Sequence, residues 1–509
     1  MLTTSYGAGL LGIDGFIVTV ECNSTRSLPG FEMVGLPDAA VKESQQRVET
    51  AMFNSGIAGS DLNIKINLAP ADMKKEGSAL DLAIAAAILQ GKKVVPLGVD
   101  LSDKMFVGEL SFSGALRPVH GALSMAIAAR DHGIKELFVP VENAREAAVV
   151  EGITVYPCPS LAEVIAHLAG RKEITPAEHA IYDADAAFAF GPDFADVKGQ
   201  EAVKRALEIA AAGGHNVLMI GPPGSGKSMM AKRLPSILPP MTFSEAVETT
   251  RIHSASGMMK DGDSLITVRP FRSPHHTMSA PSMVGGGRIP TAGEVSLSHN
   301  GVLFLDELPE FAKNVTESLR QPMEDGKVTI TRTAGRLTFP SSFMLVAAMN
   351  PCKCGYYGSS SRRCTCRPDD IKKYLAKISG PLLDRIDIQV EVPALSFGEL
   401  TARRDAEPSA AIRERVVAAR KVAEERLRGD GMTCNAAMTT KEIKKYCAID
   451  DRAEGVLRSA FETMGMSGRG YDRILRVART IADLDGKENI DVRHVAEAVR
   501  LRTLDKKYF

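Results

Sequence analysis

The sequence predicts an α/β protein in three successive parts: a mixed first domain, a core built on a parallel sheet, and a helical C-terminal domain. Three observations lead there. A Gly-rich turn joins an apolar strand at 216–220 to a helix running from Lys227 until Pro235 stops it, the opening of a βα unit. Two further apolar runs, 301–305 and 343–348, lack polar alternation, as strands buried on both faces of a parallel sheet do. Past Pro393 the pattern turns almost wholly helical, with helices expected at 410–428, 440–446, 451–464, 470–484 and 491–501.

A chain of 509 residues exceeds what one core holds, since single cores rarely grow past about 250–300 residues. The first domain is expected over 1–170, from strand-like runs at 15–21, 63–68 and 136–141 and Ala-rich helices at 80–89 and 122–129. Pro, Asp and Ala clusters at 171–195 read as a linker with docking aromatics. The core then spans 196–393, with a cysteine-rich insert at 350–368, and the helical domain spans 394–509.

Composition narrows the function. With 44% hydrophobic and 24% charged residues the chain reads as globular rather than disordered. Lys+Arg and Asp+Glu balance at 62 each, so affinity for nucleic acid must come from local basic surfaces. The N-terminus has no signal pattern and no apolar run reaches the length of a membrane span, so a cytoplasmic protein without membrane partners is expected. Eight cysteines in such a chain make no disulfide scaffold.

The chemistry begins at Gly221, Pro222, Pro223, Gly224, Ser225, Gly226, Lys227 and Ser228, which satisfy G-x-x-x-x-G-K-[ST] between a strand and a helix. Glycines let backbone N–H groups turn onto phosphates, and the helix N-terminus adds favourable dipole charge. Lys227 is expected on the β and γ phosphates of ATP and Ser228 on Mg²⁺. The run 302–305 ends in Asp306, a metal carboxylate by position, and Glu307, a general base for the attacking water. Asn350, after the next strand, can orient that water. Arg385, in Leu383-Asp384-Arg385-Ile386-Asp387, suits an arginine finger acting on a neighbouring subunit, and Arg469 can reach the nucleotide from the helical domain.

In this order the motifs resemble those of AAA+ ATPases of the magnesium-chelatase-like group, and nearly the whole chain is similar to the YifB/ComM family. The stretches that carry the resemblance are Asp196-Val-Lys-Gly199-Gln200, Arg269-Pro-Phe-Arg272-Ser-Pro-His275-His276, 293–307 and 473–483. It implies a Lon-protease-like first domain, an AAA+ core, a helical lid and a homo-oligomeric ring, expected to be of six subunits. It further implies a branch migration helicase, acting on single-stranded or branched DNA in recombination and natural transformation. Ungapped matching to Lon puts its nucleophile position on Ala79 and its lysine position on Ser124, so a Ser-Lys dyad is absent and a protease is not expected.

Cys352, Cys354, Cys364 and Cys366 offer four thiolates that suit tetrahedral Zn²⁺, with a reducible disulfide or redox pair, or no special role, as the alternatives. Residues 327–339 read as a hairpin whose Arg332 and Arg336 either track DNA phosphates in a ring pore or are ordinary surface arginines, and Arg362, Arg363 and Arg367 are a second basic candidate. His275 and His276 are poor chelators as neighbours and read as structural or coupling residues. A chelatase- or chaperone-like ATPase that remodels a protein partner would need the same pocket.

Overall fold

The structure, a computed structural model, describes residues 1–57, 62–184, 188, 191–260, 262–287, 290–332, 335–358, 362–395, 398 and 406–508, with the main chain alone at 332, 335, 505 and 506. It forms two compact units, Met1–Asp183 with Phe243–Ile266, and Ala184–Thr242 with Thr267–Phe509. Among the described residues no helix is long and apolar enough to cross a membrane.

The first unit carries a seven-stranded mixed sheet in the order Gly30–Val34, Leu62–Ala69, Asp14–Arg26, Leu2–Leu11, Lys104–Phe106, Glu136–Pro140, Thr154–Cys158. The expected helices appear as Asp81–Gly91 and Ala122–Asp131. Its two faces are covered separately. Val18, Ile64, Ile84 and Leu161 pack on one side, and Met105, Leu123, Leu137 and Ala144 on the other.

That second face also takes in Val247, from the helix Phe243–Ala255, a segment that by sequence order falls inside the core. Polar contacts fix it there. Gly121 N donates to Ser254 Oγ at 2.9 Å, the Ser254 hydroxyl donates to Glu146, and Leu123 N donates to Glu146 Oε1 at 2.9 Å. Burial pushes the Glu146 carboxyl up, and these hydrogen bonds oppose the shift. Arg251 reaches the Ile13 carbonyl and Asp14. Ser78 Oγ donates to Glu109, Ser124 Oγ donates to Ile13 O at 2.6 Å, and the buried Lys75 amine donates to the carbonyls of Pro70 and Met73. None of these hydroxyls meets an amine.

The second unit is organised by a five-stranded parallel sheet in the order Phe271–Arg272, Val302–Leu305, Met344–Met349, Val217–Ile220, Ile388–Glu391. Every residue of the three middle strands is buried, which is why they read as unbroken apolar runs. Helices Glu201–Gly213, Ser409–Leu427, Gly468–Leu484 and Val492–Arg500 close one continuous core with the sheet, from Phe194 to Ala498. The antiparallel hairpin Lys327–Arg332 with Gly335–Pro340 also forms, with Arg332 opposite Gly335.

A buried polar node welds the sheet to the C-terminal helices. Asn216 donates from Nδ2 to Arg385 O at 2.9 Å, accepts from Leu345 N at 2.8 Å, and donates its own N–H to Asp387 Oδ2 at 3.2 Å. His215 reaches Asp387 at 3.5 Å on one ring nitrogen and Thr480 Oγ1 at 2.8 Å on the other. Burial alone would raise the Asp387 carboxyl, but His215, Arg476 and Arg473 hold it down at about 2 against an ordinary 3.8. A depressed carboxyl pKa stabilises the fold above pH 4, and that contribution is lost as pH falls from about 4 towards 2. Asp387→Asn is therefore expected to cost at least about 2 kcal/mol at pH 7 and to flatten the acid limb of the stability profile below pH 4, read by urea unfolding across pH. An unchanged acid limb would show that the node is not what holds this edge.

Candidate active site

The parallel register sets the site. Ile220 lies opposite Met349, and Leu305 opposite Ala347, so the residues that follow each strand emerge at the same end of the sheet. There Gly224, Ser225, Gly226, Lys227, Ser228, Asp306, Glu307 and Asn350 line one cavity of about 400 Å³, together with Pro223, Met229 and Met349. Residues far apart in sequence thus share one hollow.

Within it Lys227 is buried and its amine donates to Gly221 O at 2.8 Å, Pro222 O at 2.9 Å and Asn350 Oδ1 at 3.3 Å. Burial pulls the amine pKa down, while Asp306 and Glu307 oppose the fall. A half-desolvated ammonium held by carbonyls is suited to receive an anion. Ser228 Oγ donates to Asp306 Oδ2 at 2.6 Å, which brings a hydroxyl and a carboxylate together as a hard divalent cation requires. Gly221 is forced by space, because a Cβ there would lie 2.1 Å from Val392 O. The donor set and cavity fit a nucleotide triphosphate with Mg²⁺.

Two contacts extend the site. Gln200 Nε2 donates to Ser225 O at 2.8 Å and Pro393 O at 3.0 Å, tying the phosphate loop to the chain beyond the last strand. His276 Nδ1 stands 3.7 Å from Glu307 Oε2, with the His276 ring edge-on to Phe311. Glu307 itself has φ of 52°, a left-handed backbone that a β-carbon residue adopts reluctantly. Neither Gln200 nor His276 is marked by the sequence as a pocket residue. Nothing local marks a side chain that works only after distant strands are paired.

Arg385 and Arg469 are not brought to this cavity within one chain. The Arg385 guanidinium donates to Pro381 O at 2.7 Å and to Glu324, a partner not anticipated from the sequence. Arg469 is exposed at the start of Gly468–Leu484. Arg473, one turn on, is buried with its guanidinium 3.7 Å from Asp384 and 3.9 Å from Asp387, and burial lowers it to about 10. In the hairpin Arg336 is exposed, whereas the Arg332 side chain and residues 333–334 lie outside the described residues.

The four cysteines converge. Cys352 Sγ lies 3.3 Å from Cys354 Sγ and 3.7 Å from Cys364 Sγ, Cys354 is 3.5 Å from Cys364, and with Cys366 all four lie within 4.8 Å of one another. Tetrahedral Zn–S bonds of about 2.3 Å require sulfur–sulfur edges of about 3.8 Å, whereas a disulfide requires about 2.05 Å. The set fits a closed metal site and is not a formed disulfide.

Comparison with known proteins agrees with this layout. Residues 193–400 match the model of magnesium chelatase subunit ChlI, 20–143 that of subunit ChlI of Mg-chelatase, and 406–502 that of the ChlI C-terminal region. The chain is 42% identical over 506 residues to the competence protein ComM of Haemophilus influenzae, covering 99% of this chain and 98% of that protein. It is 42% identical to YifB of Escherichia coli over 501 residues, 97% and 96% of the two chains. A Lon protease of Mycolicibacterium smegmatis is 26% identical over 174 residues, 31% of this chain and 22% of that protein.

For the pocket, Lys227→Ala is expected to weaken binding of a fluorescent ATP analogue at least tenfold. Glu307→Gln should retain that binding while phosphate release falls by about 10²–10⁴-fold, the usual size of a lost general base. Wild-type turnover in Glu307→Gln would remove Glu307 from the chemistry.

Proposed function

The chain belongs to the magnesium-chelatase-like AAA+ family of ComM and YifB, and from that premise we propose that it is an ATP-hydrolysing ring motor that moves single-stranded or branched DNA. The observation that carries the motor is the cavity joining Lys227, Ser228, Asp306, Glu307 and Asn350. Lys227 binds the β and γ phosphates, Ser228 and Asp306 hold Mg²⁺, Glu307 accepts the proton of the attacking water and Asn350 orients it. The DNA assignment is supported by the 42% identity to a competence protein and by the exposed Arg336 on its hairpin. Branch migration in recombination is the form such a motor takes when strands are exchanged. The protein acts in the cytoplasm, as a homo-oligomer of six subunits.

The ring enters through Arg385. Its pair with Glu324, whose side chain is 54% exposed, is worth at most about 1 kcal/mol. An arginine finger on a transferring phosphoryl group contributes about 10³–10⁵-fold in rate, or roughly 4–7 kcal/mol. The gain at a neighbour's transition state therefore exceeds the loss of the Glu324 pair. Arg469 approaches the nucleotide from the helical lid of its own chain.

The cysteine tetrad holds a structural Zn²⁺, since four protein thiolates leave no open position for catalysis. The first unit serves assembly or DNA engagement and not proteolysis. Ser78 bonds to Glu109, Ser124 to the Ile13 carbonyl and the Arg251 guanidinium, and the buried Lys75 to carbonyls. The match to magnesium chelatase models favours a second reading, an ATPase that remodels a protein partner, built on the same pocket.

Forked or four-way DNA is expected to stimulate phosphate release several-fold, with Glu307→Gln as the blank; no stimulation together with no DNA binding at low salt would leave the remodelling reading. In the same assay, mixing Arg385→Ala subunits with wild type should depress activity more than in proportion, and a strictly proportional loss would argue against sharing between subunits. Metal analysis should find about one zinc per chain, lost when the four cysteines are changed to serine. Equal zinc in both proteins would remove the site.

A further inference from the structure

We infer that the cysteine-stapled insert is a nucleic-acid backbone sensor that reports occupancy directly to the ATP pocket. This rests on the DNA reading above and adds a second contact surface, distinct from the hairpin.

Charge comes first. Residues 350–378 hold seven lysines and arginines against two aspartates, in a chain whose overall charge balances. Lys353, Arg362, Arg363, Arg367, Lys372 and Lys373 are all exposed. Among the described residues no carboxylate pairs with Arg362, Arg363 or Arg367. Exposed guanidinium forks with no carboxylate partner among the described residues suit phosphate oxygens, which they bind in bidentate fashion.

Aromatic rings are interleaved with these cations. The Arg362 guanidinium lies over the Tyr356 ring at 4.9 Å, and Tyr357, 39% exposed, meets Tyr508 edge-on at 6.2 Å. Cations alternating with aromatic faces are what a single strand needs, since its backbone takes the charge and its unstacked bases take the rings. An acidic protein surface would use the cations but would leave the exposed Tyr357 without a role.

The connection to the pocket is short. Cys352 follows Asn350 by two residues and is fully buried, so the staple begins where the water-orienting amide ends. Gly355, with φ of 83°, approaches the phosphate loop so closely that a Cβ would fall 2.4 Å from Pro223 Cδ. Tyr374, on the helix Pro368–Leu375 that follows the last cysteine, is a hydrogen-bond neighbour of the Asn350 main chain. The insert therefore touches both sides of the cavity, through Gly355 against Pro223 and Tyr374 beside Asn350. A strand drawn onto the arginines displaces the loop against Pro223 and Asn350 together.

The test uses the full-length protein and an unstructured single-stranded oligonucleotide. Arg362→Ala/Arg363→Ala should keep its zinc and its DNA-free ATPase, bind the strand at least tenfold more weakly at about 0.1 M salt, and lose stimulation. Two phosphate contacts removed should make the slope of log affinity against log salt shallower by about 1.4. Gly355→Ala should bind the strand within twofold of wild type but respond to it with little stimulation. If wild type binds the strand and the double arginine variant binds with the same affinity and salt slope, the sensor is overturned while the DNA reading stands. If Gly355→Ala is stimulated as fully as wild type, the coupling route is overturned. If wild type binds no DNA at low salt, the functional reading fails and this inference falls with it.

Discussion

Parallel, in-register pairing of Val217–Ile220, Met344–Met349 and Val302–Leu305 is the constraint from which the pocket follows. In a parallel sheet successive strands end at one edge, so whatever the sequence places after each apolar run is delivered to the same place. Here those positions carry the phosphate loop, Asp306 with Glu307, and Asn350. A one-residue slip in any strand would invert its side chains and shift its terminus by about 3.3 Å, enough to break a 2.6 Å contact such as Ser228–Asp306. The full burial of all three strands is what prevents that slip. Core packing and catalytic geometry are therefore one requirement, met by the same residues.

The cost of the arrangement is borne by Lys227. Its ammonium is drawn from water into the sheet edge, and carbonyls of Gly221 and Pro222 replace part of its hydration. Asp306 and Glu307 favour the charged form but do not fully offset burial, since the amine pKa is lowered. A triphosphate brings the missing negative charge and so gains more from this lysine than a surface lysine would give. The same reasoning explains why Gly221 stands where a side chain would collide with Val392 O. The loop is packed for close approach before any ligand enters.

How much of this the sequence carried depends on whether the signal is local. The phosphate loop, the acidic strand end and Asn350 were legible because each is a short motif fixed by its own turn and strand. The strand Leu2–Leu11 was not, because Thr3, Thr4, Ser5 and two glycines mask its pattern and it is held by neighbours on both sides. Nor was the membership of Phe243–Ala255 in the first unit. Its attachment rests on Ser254 meeting Glu146 and Arg251 meeting Ile13, pairings over more than 100 residues that no periodicity encodes. The Glu324 partner of Arg385 and the approach of Gly355 to Pro223 belong to the same class. The cysteines are intermediate, since their spacing proposed a cluster and only folding brought the sulfurs within 4.8 Å.

Arg469 and Arg473 lie one turn apart on the same helix, and magnitudes separate them. Arg473 is buried beside two carboxylates at 3.7 and 3.9 Å, too long for good hydrogen bonds, and among the described residues its NH1 has the Asp384 ion pair but no hydrogen bond. Burial lowers its pKa to about 10, so it is still charged at neutral pH, and withdrawing it would leave Asp387 without one of the cations that hold it at about 2. Removing one member of a buried charge group costs about 3–5 kcal/mol. A residue so committed cannot swing to a nucleotide and return on each cycle. Among the described residues Arg469 has no such tie, being exposed at the helix start, where reorientation costs only side-chain entropy of up to about 2 kcal/mol. The two arginines of one helix are thus held differently: Arg473 ties the helix to the sheet end beside Asp384 and Asp387, and Arg469 stays exposed at the helix start.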